Sequence, residues 1–420
     1  MLRIFPYALI GLLPGVACAQ TVPPMLTVEA AVTQAIRQNP RLAAAAHDLT
    51  AAQAGARSAR ALSNPQLTFT PALTPGGSDE ELLFQQPLEL NGTRSARAGI
   101  AGAQLRQSRA EAVVELRRVV FETQTAYFQF ARAEELRQLA ERLLQSAEEL
   151  DRITGRQVEV GTRPGIDRTQ TTIEVARARQ QVTLAASRVT EAAGALNTLM
   201  GRAPSEAVGA LEPAHFLPLA GDRETLVRQA LAARTEIEAG EASREAALQE
   251  ARLARAQGRP DLAPQLRGGN LLRGPSDTGI GLGITLPFLD YGSRRNRIRQ
   301  AEETARAAAA RTASAKAQIQ RDVEAAHARY RAATEVLASY DRGILDQARK
   351  LVTASRTGFE SGLTSIVGVL EAQRTYRSVL TEYTNALIDQ ALARVELERA
   401  LGAVSPDLLP LTPTAPRSAK

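Results

Sequence analysis

Gly279-Ile280-Gly281-Leu282-Gly283-Ile284-Thr285-Leu286 alternates without a break. Apolar side chains fall on one face and Gly or Thr on the other, a period of two that predicts a strand. A different texture follows at once. After Pro287 there is no proline until Pro406. Proline costs about 3 kcal/mol inside a helix, so a gap of this length permits a very long one. A short strand leading into a rod is the pattern that decides the fold.

The same pattern is present earlier in the chain. Pro87-Leu-Glu-Leu-Asn-Gly-Thr-Arg94 matches Pro287-Phe-Leu-Asp-Tyr-Gly-Ser-Arg294. Glu29 to Ile36 matches Glu224 to Leu231, Val160-Gly161-Thr162 echoes Ser361-Gly362-Leu363, and Leu199-Met200-Gly201 echoes Ala400-Leu401-Gly402. Four matches in one order, at an offset of about 200 residues, indicate an internal duplication.

The first copy has no proline between Pro87 and Pro164 or between Pro164 and Pro204. Val113, Leu116, Val120, Thr123, Tyr127 and Phe130 step by three and four. After a phase shift, Leu136, Leu139, Leu143, Ser146, Leu150 and Ile153 do the same, which is coiled-coil spacing. The predicted helix from Thr93 to Thr154 is roughly 90 Å long at 1.5 Å per residue. Its counterpart runs from Ser293 to Thr357, rich in alanine between Ala301 and Ala317. Tight turns are predicted at Gly155 to Gly165 and at Gly358 to Ser365, each followed by a returning helix. Each copy therefore holds a long antiparallel helical hairpin.

Ahead of each helical hairpin lies a pair of strands. Gln66 to Thr70 alternates like Gly279 to Leu286, and Leu82 to Leu88 and Leu262 to Arg267 are weaker candidates. Turn-rich Pro71 to Asp79 and Gly268 to Asp277 separate the strands within each pair. Four strands per chain are too few to close a barrel. With one apolar and one polar face they fit a membrane barrel shared between subunits.

Composition agrees with rods rather than ordinary globular domains. Aromatics are 4% of the 420 residues, with no tryptophan, and the 44% apolar content is mostly Ala, Leu and Val. The net charge of +6 is modest, and Arg and Glu interleave along the helices, which argues against nucleic-acid binding. At the N-terminus, Arg3, the apolar stretch Ile4 to Val16 and Ala17-Cys18-Ala19 read as an export signal cleaved before Gln20. Cys18, the single cysteine, offers a rival reading as a lipidated N-terminus, since Gly15-Val16-Ala17-Cys18 resembles a lipobox with Gly where Leu is usual. The expected organisation is a signal peptide at 1–19, a first structural repeat at 20–203 and a linker at 204–221. A second repeat at 222–403 and a tail at 404–420 follow. The strand hairpins are expected at about 66–88 and 262–287, and the helical hairpins at about 93–200 and 293–402.

An exported, duplicated chain with a strand hairpin and a very long helical hairpin in each half resembles the TolC family of bacterial outer-membrane efflux channels. Phe84-Gln-Gln-Pro-Leu-Glu-Leu-Asn-Gly-Thr-Arg-Ser-Ala-Arg97 is similar to the Q-P-x-E-L-G-G-K-R lead-in of its CzcC-like, heavy-metal branch, with Asn91 and Thr93 departing from that pattern. The resemblance implies a mainly α fold with a small β part. Duplicated helical hairpins would form an α-barrel, and four short strands per chain would form a twelve-stranded outer-membrane β-barrel in a homotrimer. It also implies a periplasmic adaptor, an inner-membrane pump of the RND type, outer-membrane lipid around the barrel, and no cofactor. The expected function is the outer-membrane exit duct of a tripartite efflux pump, carrying heavy-metal cations. A TolC-type channel for drugs or type I secretion is the alternative, and an exported structural coiled coil a more remote one.

The resemblance assigns positions as well. Val160, Gly161, Thr162, Ser361, Gly362 and Leu363 fall at the adaptor-facing tips. Asp167 matches an acidic residue of the iris that closes the tunnel, and Phe359 stands where the family has a tyrosine. Thr364 replaces a latch arginine, and Gly368 replaces one of two lumen aspartates while Glu371 keeps an acid at the other. Asp167 and Glu371 are candidates for an acidic ring at the entrance. The plainer readings are a first-turn acid stabilised by the helix dipole and a solvated surface glutamate. His47, His215 and His327 are scattered and predict no metal site. No Ser/His/Asp set or carboxylate pair predicts an enzyme, and the Gly279-x-Gly281-x-Gly283 run lacks the spacing of a nucleotide loop. A periplasmic adaptor would need a lipoyl-like β module and a single helical hairpin.

Overall fold

A computed structural model describes residues 25–71, 81–212, 221–269, 277–287 and 289–403. The export signal with Cys18, most of both strand-connecting turns, part of the linker, His215 and the tail lie outside the described residues. One order of elements occurs twice. In the first half α1 (Val28–Gln38) and α2 (Pro40–Ser58) precede β1 (Gln66–Thr70) and β2 (Glu81–Gln85). The long α3 (Thr93–Glu159) and the returning α4 (Gly165–Leu199) follow. In the second half α5 (Arg223–Ala233) and α6 (Thr235–Ala256) precede β3 (Asp261–Gly269) and β4 (Asp277–Thr285). Then come α7 (Ser293–Ser339), a wide turn at Tyr340–Ile344, α8 (Leu345–Glu360) and α9 (Ile366–Leu401).

The four strands form one antiparallel sheet in chain order. Its register gathers the alternating residues into two faces. Leu67 lies opposite Phe84, Phe84 opposite Leu266, and Leu266 opposite Ile280. Phe69 and Leu82 extend this apolar face at one end, and the pairs Pro264–Leu282 and Leu262–Ile284 at the other. Leu67, Phe69, Leu266, Ile280, Leu282 and Ile284 are all exposed, with Ile280 at 89%. The opposite face is polar. Gln265 donates to Gln85 (3.3 Å), Gln85 donates to Gln66 (3.4 Å), and Arg267 pairs with Glu81 at 2.7 Å. Gln265 lies over Gly283, where a side chain would displace it. Strands of nine residues fit the span of a transmembrane β-strand. Among the described residues of the single chain β1 and β4 are edge strands with no partner on their outer sides.

β2 is shorter than the predicted 82–88 run because two prolines end it. Gln86 and Leu88 still donate to the carbonyls of Pro264 and Leu262, both at 3.1 Å. Pro264 has no N–H to return to Gln86, and Pro87 follows directly, so the ladder stops.

The rods are held by cores well below the sheet. Tyr127 and Phe128 of α3 are buried edge-on, 5.4 Å between centroids, with Leu196, Met200, Ile388 and Val395. The Tyr127 hydroxyl donates to the Leu26 carbonyl (2.9 Å) and lies 3.1 Å from that of Glu212, so it pins the bridge between Leu26 and Leu211. Val113, Leu116, Val119 and Val120 pack on α1 and α2 through Ala35 and Leu42. Leu226, Ala230, Ile319, Val323 and Leu397 form the equivalent cluster around α5. The alanine-rich start of α7 buries Ala301, Ala305 and Ala308, and α6, which packs on it, buries Ala247, Ala251 and Ala254.

Two expectations need correction. α3 does not end at Thr154. It continues through Gly155 to Glu159, for 67 residues and about 100 Å. One glycine costs only about 1 kcal/mol in a helix, and the Arg168 side chain packs against Gly155. The second rod is not continuous from Ser293 to Thr357. It breaks at Tyr340–Ile344, where Gly343 adopts φ 145°. The proline gap read there as permissive said nothing about glycine. Among the described residues no helix is long and apolar enough to cross a membrane.

Candidate periplasmic gate

The two tip turns are built alike. At the end of α3, Gly161 takes φ 75°, its N–H donates to Val158 O, and the Thr162 N–H donates to Gln157 O at 2.9 Å. At the end of α8, Gly362 takes φ 81°, its N–H donates to Phe359 O, and the Leu363 N–H donates to Gly358 O at 2.7 Å. Each is a Schellman closure, which needs a left-handed residue just past the helix and so favours glycine. Both turns present bare apolar side chains: Val160 at 74% exposure and Leu363 at 87%, with Ile166 and Val367 behind them. Thr162 bonds Gln157 through its hydroxyl as well, and the Ser361 hydroxyl bonds Thr357.

Behind the turns a small core joins the two helical hairpins. Phe359 is 1% exposed and packs with Leu150, Ile366, Val369 and Leu370. The Arg163 guanidinium lies 4.3 Å from the centre of its ring and donates to the Phe359 carbonyl at 2.9 Å. Phe359 is therefore held by a cation–π contact as well as by apolar packing. Thr364 donates its N–H to Gly358 O at 3.0 Å, and its side chain fills the space over Gly358 and Gly368.

Asp167 and Glu371, equivalent in the sequence reading, have different surroundings. Asp167 is buried in the first turn of α4. The Glu371 side chain is 71% exposed and reaches Arg374 at 3.7 Å. Arg374 also crosses to the other hairpin and pairs with Glu174 at 2.6 Å. Glu174 in turn receives Arg177 at 2.9 Å. Sequence reading missed Arg163, Glu174 and Arg374. A signal existed, because Glu174 and Arg374 are 200 residues apart, the offset of the repeat.

Burial pushes the Glu174 carboxyl up, but the Arg374 and Arg177 guanidiniums outweigh it and hold the group below the usual carboxylate range. A depressed acid contributes stability above its unfolded value and loses it as pH falls through the folded one. Hydrogen-exchange protection at the tip, measured as the observed rate against the intrinsic rate at the same pH, is therefore expected to stay flat from neutral pH down to the ordinary carboxylate range and to fall only below it. Glu174→Gln should show lowered protection already at neutral pH. An identical pH profile in wild type and variant would remove the ion pair from the account.

No group of three or more His, Cys, Asp or Glu residues could hold a metal ion among the described residues. The sequence profile of the outer membrane efflux proteins matches residues 31–202 and 226–403. The chain belongs to that family. This outer membrane efflux protein is 26% identical to the cobalt-zinc-cadmium resistance protein CzcC of Cupriavidus metallidurans over 392 residues, 90% of each chain. Its fold matches the outer membrane protein VceC of Vibrio cholerae with a TM-score of 0.74 at 20% identity, covering 89% of this chain and 96% of that one. The outer-membrane channel OprN matches with a TM-score of 0.76 at 21% identity, covering 91% of both. The protein is thus a channel protein of the outer membrane extending into the periplasm, and not an enzyme.

Proposed function

We propose that three copies of this outer membrane efflux protein join their sheets into one twelve-stranded barrel, with their helices continuing it as a periplasmic tunnel. The assembly is the exit duct of a tripartite pump for divalent heavy-metal cations. The observation that carries the reading is the sheet itself. It has one apolar face, one polar face and two unpaired edges, and it sits at the end of rods about 100 Å long. An open edge in lipid leaves backbone groups unsatisfied at several kcal/mol each, so closure needs further copies. The likeness to CzcC along 90% of both chains supports metal cations as cargo. A periplasmic adaptor docks on the exposed tips around Val160 to Thr162 and Ser361 to Leu363, and an RND-type inner-membrane pump drives the flow. A strain lacking this chain is expected to accumulate cobalt, zinc or cadmium and to become sensitive to them. Unchanged metal tolerance with new sensitivity to drugs, or a block in protein secretion, would overturn the cargo assignment.

At the entrance, Glu371 supplies the acidic ring while Asp167 stays inside the wall. Three carboxylates around a narrow mouth attract cations, an effect that fades at 1 M salt where the screening length is about 3 Å. Glu371→Gln is expected to lower cation preference in single-channel recordings without changing assembly. An unchanged reversal potential under a salt gradient would return Glu371 to an ordinary solvated residue.

A further inference from the structure

The positive charge of the chain is not spread evenly. Four stretches meet at the foot of the sheet. Arg94 donates to the Arg60 carbonyl (2.8 Å) and Arg97 to the Ala59 carbonyl (3.2 Å), tying α3 to the end of α2. Arg294 donates to the Gly258 carbonyl (3.3 Å), tying α7 to the end of α6. The Leu90 N–H donates to Asp261 Oδ1 (3.1 Å) and joins the two halves. Residues 55–65, 86–100, 252–262 and 286–300 hold eleven arginines against three acids, so this collar carries more positive charge than the +6 the whole chain nets. The acids are already engaged: Glu89 with Arg97 at 2.5 Å, Asp290 with Arg294 at 3.5 Å, and Asp261 with the Leu90 N–H. Arg295, Arg297 and Arg299 are exposed on α7, whose first turn contains no acid.

Beside these charges lie bare apolar side chains, of which Leu286 prolongs the alternation of Ile280, Leu282 and Ile284 beyond β4. Leu286, Leu289, Leu90 and Leu62 are all more than half exposed, and Tyr291 is 94% exposed. Tyr291 also holds φ 47°, a left-handed conformation that bulky residues rarely adopt. Such strain persists only where the surrounding structure imposes it.

We propose that this collar is a docking surface for anionic phospholipid headgroups of the periplasmic leaflet. Tyr291, Leu289 and Leu90 lie in the interfacial layer, and Arg295 and Arg299, four residues apart on one face of α7, engage the phosphates. Tyrosine settles at headgroup level because one end of its ring is apolar and the other polar. Guanidinium groups pair with phosphate through two parallel hydrogen bonds. Basic residues beside an anionic membrane surface strengthen association about fivefold each. A belt that is half basic and half apolar, continuous with a lipid-facing sheet, fits a lipid surface better than a free anion in water. The proposal does not depend on the cargo.

The test reconstitutes the full-length, assembled protein in mixed phosphatidylcholine and phosphatidylglycerol vesicles and measures the lipid it retains after detergent extraction. The ratio of phosphatidylglycerol to phosphatidylcholine in the retained lipid is expected to exceed that of a 1:9 vesicle about fivefold or more. The enrichment should shrink as salt approaches 1 M. The combined change Arg295→Gln and Arg299→Gln should abolish it. A control with Arg311, Lys316 and Arg331, exposed lower on α7, all changed to Gln should retain it. Retained lipid of bulk composition in the wild type would overturn the proposal. So would equal loss in the control, or a collar variant that keeps its enrichment while its reversal potential shifts, since that would place these arginines in the lumen.

Discussion

Leu282→Arg is expected to prevent membrane insertion, while Gly281→Ser leaves it intact. The two positions are adjacent in β4 but lie on opposite faces of the sheet. Leu282 is 59% exposed on the face it shares with Ile280, Ile284, Pro264 and Leu266. An arginine on the lipid face of a barrel costs about 2–4 kcal/mol near the midplane, and an oligomer carries that cost once per copy. At Gly281 the nearest atom to an added Cβ is Gln265 Oε1 at 4.0 Å, so a small polar side chain fits the polar face. The comparison is read as the fraction of protein folded into the membrane. Equal effects of the two changes would reject the facing of the sheet.

The second large effect is expected at Phe359. Its ring fills the only described cluster that joins the hairpins near their tips, and Arg163 closes over it. Phe→Ala changes at buried sites cost about 3–5 kcal/mol. The large cores around Tyr127, Leu116 and Val323 are formed by other residues, so the assembly should survive. Phe359→Ala should therefore raise hydrogen exchange selectively in residues 150–174 and 359–371 and raise resting conductance. Phe359→Leu should restore most of both. A uniform loss of protection along the whole rod would mean that the cluster supports the fold at large rather than the closed tip.

Much of this architecture was legible in the residues because its signals are local and repeated. Gly279 to Leu286 alternates cleanly since one face meets apolar and the other polar surroundings, and the register confirms two such faces. The rods were legible from the absence of proline and the three-and-four spacing of apolar residues. What escaped depends on how distant segments align. Gly155 and Gly343 look alike in sequence, yet one sits inside an unbroken helix and the other at a wide turn. Their fates are set by what packs beside them. Asp167 and Glu371 are both acids near a tip, and only the packing of α4 and α9 buries one and exposes the other. The Arg374–Glu174 pair requires the two hairpins in register. The basic collar was visible in part as Arg294-Arg295-Asn296-Arg297-Ile298-Arg299, but its other stretches are scattered over more than 200 residues.

The central claim is that the sheet of one chain closes only against copies of itself, and one measurement addresses it directly. A cysteine is placed in β1 at Thr68, and in separate variants a second is placed in β4 at Gly279, Gly281 or Gly283, with Cys18 replaced. Within one chain these strands lie on opposite edges, three strand spacings or about 14 Å apart. A disulfide needs Cα atoms within about 7 Å, so no bond forms inside a chain. Oxidation in the membrane is predicted to give linked dimers and trimers in at least one variant, with the ladder ending at three. A membrane-inserted, stable monomer that forms no links in any variant would contradict the account.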